Sequence, residues 1–194
     1  MEKKVFLLRH GLTDYNGLYI GSSDVGLAEE GKVQVSLTGQ ILKQKKIQKI
    51  FCSPMRRCRD TFSLLKFDID CQFSDDLREI DFGRWEKKSF EDIKDVDKNI
   101  VADWARDGEG FCFPAGESIL HFNERVKIFS QALLNVPEKE ILIIAHGGTI
   151  RQLLCIFLQI ASEKKMIFSI EPGCFATVEL YGDIGRITGL NERG

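Results

Sequence analysis

The stretch Val5-Phe6-Leu7-Leu8-Arg9-His10-Gly11 has a near twin far along the chain, Ile141-Leu142-Ile143-Ile144-Ala145-His146-Gly147. Each is a short apolar run that stops at a histidine followed by glycine. A continuous apolar run of this length is the pattern of a strand buried on both faces, as in a parallel sheet. In open α/β sheets, ligands bind in the crevice beyond the carboxyl ends of the strands. If the two strands are neighbours, two of the chain's three histidines enter one crevice. The glycines let the backbone turn sharply and come close to a ligand.

Working outward, Lys49–Cys52 and Cys71–Phe73 read as further short strands. Val33, Leu37 and Ile41 recur every four positions, which predicts a helix over Ala28–Lys46 with those residues on one face. Ser53-Pro54 has the form of a helix start, serine as cap and proline at the first helical position. Met55, Cys58, Phe62 and Leu65 then form that helix's buried face. Ile119, Phe122, Val126, Phe129 and Leu133 mark an amphipathic helix; Ile150, Leu153, Leu154, Phe157 and Leu158 mark another. Ala176–Tyr181 and Arg186–Leu190 close the chain as a hairpin. Asp75–Gly116 is irregular, with one short charged helix near Phe90–Val96. Structureless stretches of this length usually carry function. Strands alternating with helices predict a three-layer α/β/α sandwich, with a mostly parallel central sheet and helices on both faces. No repeat or linker divides the chain, so residues 1–194 are expected to form a single domain.

The net charge is −2, from 27 basic and 29 acidic side chains, so nothing global favours nucleic acid or an anionic membrane as a partner. Any anion specificity must come from a local arginine cluster. The N-terminus has only four consecutive apolar residues, too few for a secretory or membrane-spanning segment, and the expected location is cytoplasmic. Cysteines 52, 58, 71, 112, 155 and 174 contain no Cys-x-x-Cys pair. They read as reduced, mostly buried thiols rather than a disulfide framework or a zinc site.

Arg56, Arg57 and Arg59 stand in the first turns after Ser53-Pro54. Cations there oppose the helix dipole, which suggests an anionic ligand that offsets the cost. Arginine suits phosphate because its planar fork makes paired hydrogen bonds. A phosphate ester in the crevice would meet Arg9, Arg57, His10 and His146. A neutral imidazole is a competent nucleophile at phosphorus, and nearby arginines should keep it unprotonated. The leaving alkoxide needs a proton, and Glu79 in Leu77-Arg78-Glu79-Ile80-Asp81-Phe82-Gly83 is the candidate donor.

With these residues in place, the chain resembles the histidine phosphatase superfamily, which includes the cofactor-dependent phosphoglycerate mutases. The resemblance spans nearly the whole chain. It rests on Arg9-His10-Gly11 with Thr13, Asn16, Gly21 and Leu27, and on Ser53-Pro54-Met55-Arg56-Arg57 with Thr61. Glu79 with Gly83, Trp85 and Glu86, then Gly116-Glu117-Ser118 and Ala145-His146-Gly147-Gly148, complete it. It implies that His10 is the phosphorylated nucleophile and that Arg9, Arg57 and His146 hold the phosphoryl group. Asn16 and the Gly147 amide would add hydrogen bonds. Glu79 would protonate the leaving group and then activate water; no metal or other cofactor is implied. Arg78 and Glu117 are candidate substrate contacts, with a surface ion pair and a helix-dipole role as their respective alternatives. His121 reads as a surface or boundary residue. Leu12, Gly26, Ala28 and Lys87 depart from frequent family residues, but none removes a catalytic group.

Within the superfamily, Gly17-Leu18-Tyr19, Phe82-Gly83-Arg84-Trp85-Glu86, Pro114-Ala115-Gly116-Glu117-Ser118 and Pro172-Gly173-Cys174-Phe175-Ala176 are similar to the α-ribazole-5′-phosphate phosphatases of cobalamin assembly. On that resemblance Trp85 and Trp104 are candidates to line a pocket for an aromatic base, core packing being the competing role for at least one. A broad phosphomonoesterase, a phosphoglycerate mutase and a non-catalytic phosphate-binding module are the alternatives, with a histidine–metal hydrolase behind them. The expected partner is a small-molecule phosphate ester. The sequence leaves the oligomeric state open, a homodimer included.

Overall fold

The computed structural model describes residues 2–194. Six strands form one sheet: β1 (Glu2–Arg9), β2 (Lys49–Cys52), β3 (Cys71–Phe73), β4 (Glu140–Ala145), β5 (Phe175–Tyr181) and β6 (Ile184–Glu192). Their order is β3-β2-β4-β1-β5-β6. The β3/β2, β2/β4 and β4/β1 pairs are parallel; β5 pairs antiparallel with β1, and β6 antiparallel with β5. The twin apolar segments are adjacent, with Leu8 opposite Ile144 and Arg9 opposite Ala145. The strand ends therefore fall level, and His10 and His146 leave the sheet side by side.

Alternate strand residues point to opposite faces, and the sheet is buried on both. Val5, Leu7, Ile141 and Ile143 pack with α5 (Ile119–Leu134) and α6 (Gly147–Phe157). Phe6, Leu8, Leu142 and Ile144 pack with α1 (Glu29–Leu42) and α2 (Arg56–Leu65). Each such fully buried side chain stabilises the fold by about 1.5–3 kcal/mol. The three-layer sandwich read from the sequence is the architecture observed.

Several local readings need correction. The buried face of α1 is Gly31, Val35, Thr38, Gly39 and Leu42, while Val33 and Leu37 are exposed. The helix is drawn in by small residues: a β-carbon on Gly31 would lie 2.1 Å from the Leu12 carbonyl oxygen. Apolar spacing does not register a face built on glycine. Ala28 caps this helix without a side-chain hydrogen bond. Ser53 is not the cap of α2, which begins at Arg56 after Met55. Asp24 does that work from a distant loop, its Oδ1 accepting from the Arg56 amide at 2.6 Å.

The irregular stretch holds more order than one short helix. It contains 3-10 turns at Asp75–Leu77, Gly83–Trp85 and Gly108–Gly110, the expected helix α3 (Phe90–Lys94), and a further helix α4 (Lys98–Asp107). Asp97 precedes α4, and its carboxylate accepts from Trp85 Nε1 and Arg84 Nη2, each at 2.6 Å. The closing hairpin turns on Gly182-Asp183 alone, because β6 already starts at Ile184. Cys52, Cys58, Cys155 and Cys174 are buried, Cys71 is half-buried and Cys112 is exposed; all are free thiols. No described helix is long and apolar enough to cross a membrane.

Candidate active site

The ends of β1, β4 and β2 converge on one crevice. The His10 amide donates to the Ala145 carbonyl at 3.0 Å, and the Ser53 amide to the Ile144 carbonyl at 2.9 Å. The imidazole rings of His10 and His146 lie 5.2 Å apart, centroid to centroid, inclined at 61°. Gly11 makes the turn after β1 possible: a β-carbon there would sit 2.5 Å from the Gly31 carbonyl oxygen.

His10 Nδ1 donates to the Gly11 carbonyl at 2.8 Å. A carbonyl only accepts, so in the neutral ring Nδ1 carries the proton and Nε2 keeps its lone pair. Burial holds the His10 pKa well below 6.5, and the charges of Arg57 and Arg9 add to that. His146 is lowered likewise, by burial first and then by Arg57. Both rings are therefore neutral at physiological pH.

Arg57 is a fully buried guanidinium, and among the described residues no carboxylate pairs with it within 4.0 Å. Its Nε donates to His146 Nδ1 at 3.1 Å, its Nη1 to the Ser23 carbonyl at 2.9 Å and its Nη2 to the Gly21 carbonyl at 2.9 Å. With Nδ1 accepting, His146 Nε2 donates to Ser53 Oγ at 2.8 Å. In this ring orientation both His146 nitrogens are held by protein groups. Arg9 Nη1 donates to the Ile170 carbonyl at 2.7 Å, and its buried Nε has no hydrogen-bond partner.

A cavity of about 230 Å³ lies here, lined by Arg9, His10, Asn16, Arg57, Glu79 and Gly147 among others. Gly147 opens α6, so the free amides of a helix N-terminus face the same region. Glu79 reaches in from the irregular segment and accepts from the Gly148 amide at 2.8 Å. Seven of the nine candidate residues are thus near one another: six line the cavity, and His146 stands against Arg57.

Arg78 and Glu117 are placed elsewhere. Arg78 is paired with Asp75 at 3.6 Å and lines a separate cavity that meets the first at Glu79. Glu117 is bound by Arg125 at 2.7 and 2.8 Å and by His121 at 2.7 Å, and lines that same separate cavity. His121 is exposed, in keeping with its reading as a surface residue. Trp85 is fully buried, whereas Trp104 lines a second cavity of about 440 Å³. That cavity shares Tyr19, Glu79, Phe82, Gly148 and Arg151 with the first.

Two residues that shape the site escape a reading of the sequence. Arg151 lines both cavities, four residues beyond Gly147 on α6; that helical spacing is the available signal. Glu86 stands in the sequence only as part of a motif. Its carboxylate gathers the amides of Gly21, Ser22, Ser23 and Phe82 at 2.9–3.1 Å. It thereby fixes the loop whose carbonyls grip Arg57. Among the described residues, no three or more His, Cys, Asp or Glu side chains are grouped to share a metal ion.

This arrangement, two neutral imidazoles, one fully and one partly buried guanidinium, a carboxyl group and a helix N-terminus around one small cavity, suits a tetrahedral oxyanion. The chain belongs to the histidine phosphatase superfamily (branch 1), whose profile matches residues 5–193. An adenosylcobalamin/alpha-ribazole phosphatase of Salmonella typhimurium is 27% identical, over 98% of this chain and 96% of that protein. A Hydrogenobacter thermophilus protein whose name carries a provisional phosphoserine phosphatase assignment is 28% identical, over the same shares of the two chains. The crystal structure of an alpha-ribazole phosphatase from Shigella flexneri superposes with a TM-score of 0.91 at 25% identity, covering 97% of this chain and 96% of that one.

Proposed function

We propose that this chain hydrolyses a phosphate monoester through a phosphohistidine on His10, and that its substrate is α-ribazole 5′-phosphate. The observation that carries the reading is the Nδ1–Gly11 hydrogen bond, which leaves Nε2 of a buried, neutral imidazole as the nucleophile. His10 Nε2 attacks phosphorus while the phosphorus–ester oxygen bond breaks. Glu79 gives its proton to the departing oxygen. The Glu79 carboxylate then takes a proton from water, the hydroxyl oxygen bonds to phosphorus, and the P–N bond breaks to release phosphate and neutral His10. Arg9, Arg57 and the Gly147 amide stabilise the equatorial oxygens, with Asn16 at the rim. His146 orients Arg57 and contacts the phosphoryl group once its ring turns from Ser53.

The second cavity supports the substrate assignment. Phe82, Trp104, Phe113 and Phe122 line it directly beside Glu79, where the leaving group must lie. Such a wall suits a planar aromatic base. Arg151, common to both cavities, favours one other reading, an ester whose leaving group bears a carboxylate.

The test is turnover of α-ribazole 5′-phosphate, phosphoserine, 3-phosphoglycerate and ribose 5-phosphate, with EDTA present. The expected result is the highest kcat/KM for α-ribazole 5′-phosphate, with acid-labile label on His10 that His10→Ala abolishes. Activity undiminished in His10→Ala refutes the mechanism. A preference for phosphoserine replaces the substrate, and isomerisation of 3-phosphoglycerate primed with its bisphosphate replaces the reaction.

A further inference from the structure

We propose that Arg125 is a positioning residue that holds the proton donor Glu79 in register with the phosphoryl site. The inference rests on the acid role given to Glu79 above. Glu79 lies between two 3-10 turns, so neither helix nor sheet ladder fixes its backbone. Arg125 on α5 supplies that missing ladder. Its Nη1 donates to the carbonyls of Asp76 and Arg78 at 2.9 and 2.7 Å, and its Nη2 to the carbonyl of Glu79 at 3.1 Å. Its Nε and Nη2 also grip the two oxygens of Glu117 at 2.7 and 2.8 Å. One guanidinium therefore ties three carbonyls around the catalytic carboxyl to a rigid helix.

Glu117 completes the clamp from the other side. The Glu117 amide donates to the Asp81 carbonyl at 2.9 Å, and the Asp81 amide donates to Glu117 Oε2 at 3.4 Å. The segment is thus held both before and after Glu79. Burial works to raise the Glu117 carboxyl, but hydrogen bonds and charge from Arg125, with His121, outweigh it and keep the group below its ordinary value. An ionised Glu117 cancels the Arg125 charge locally. The carboxyl of Glu79 itself is then presented to the Gly148 amide, with Thr149 Oγ1 bound to the Arg78 carbonyl at 3.0 Å. A general acid acts only within hydrogen-bond reach of the departing oxygen, so small shifts of this segment are costly to proton transfer. They matter less to a leaving group that departs without a proton.

That difference is the readout. Phenyl phosphate and p-nitrophenyl phosphate share a leaving-group shape, but phenolate needs protonation far more than nitrophenolate. Rapid-quench measurement gives the rate of His10 phosphorylation from each ester, in the wild type, Arg125→Gln, Arg125→Lys and Glu117→Gln. In Arg125→Gln the phenyl-to-nitrophenyl rate ratio is expected to fall at least about tenfold. Arg125→Lys and Glu117→Gln should lower it in the same direction. If Arg125→Gln fails to fold, Glu117→Gln carries the test, because its amide is isosteric. An unchanged ratio, whether or not both rates drop together, overturns the clamp and leaves the phosphohistidine mechanism standing. A wild-type protein that takes label on His10 from neither ester overturns that mechanism, and with it the role given to Arg125.

Discussion

Mild acid should destabilise this protein through its two paired histidines. His10 and His146 are 9% and 1% exposed, and burial followed by the Arg57 charge holds each below 6.5. The unfolded chain accepts a proton at each ring near 6.5, whereas the folded chain refuses it. Stability from this source is therefore complete above 6.5 and drains as pH falls below it, until the folded-state values are reached. For one refused proton the loss is RT ln(1 + 10^(6.5 − pH)). Between pH 7.0 and 5.5 it amounts to about 1.2 kcal/mol per ring, or about 2.5 kcal/mol for the pair. Typical domains have only about 5–15 kcal/mol in total. The assay is urea unfolding at both pH values in phosphate-free buffer, for the wild type and for His10→Gln/His146→Gln. The other ionisable groups are common to both proteins and cancel in the difference. The stability of the wild type relative to the double variant should fall by about 2.5 kcal/mol over this range. Curves that stay parallel within about 0.5 kcal/mol would refute the claim that both imidazoles are held neutral by burial.

Three further outcomes rest on particular contacts. Gly148→Ala would place a β-carbon 2.4 Å from Glu79 Oε1 and push the carboxyl aside. Steady-state kinetics should show kcat lower by about ten- to a hundredfold, with stability changed by no more than about 1 kcal/mol because alanine suits a helix. Glu86→Gln leaves one carboxamide to serve four amides, and should cost about 1–3 kcal/mol in urea unfolding while weakening phosphate binding measured by calorimetry. Trp104→Ala opens the aromatic cavity and should raise KM for α-ribazole 5′-phosphate about tenfold. The KM for ribose 5-phosphate, which lacks the base, should move little.

The sequence determined the strands and the site's chemistry wherever a residue type is forced by its immediate neighbours. Val5–Leu8 and Ile141–Ala145 cannot be exposed, so each had to be a buried strand, and the residues just beyond a buried strand face a crevice. His10 and His146 are legible for that reason, while Arg57 is legible from arginines crowding a helix start and Glu79 from the need for a proton donor. Only the tertiary structure decided which polar groups meet. Ser53 has the look of a cap by its place before proline, yet its hydroxyl goes to His146, and Asp24 caps the helix from a loop 32 residues away. Glu117 offers a substrate contact or a helix-dipole role by its sequence alone, and only the fold pairs it with Arg125. The buried face of α1 runs through glycines, whose packing depends on the surface they meet rather than on their own hydrophobicity. Local pattern records which side chains avoid water. It does not record hydrogen bonds between residues far apart in the chain, because those partners are set only when the layers close.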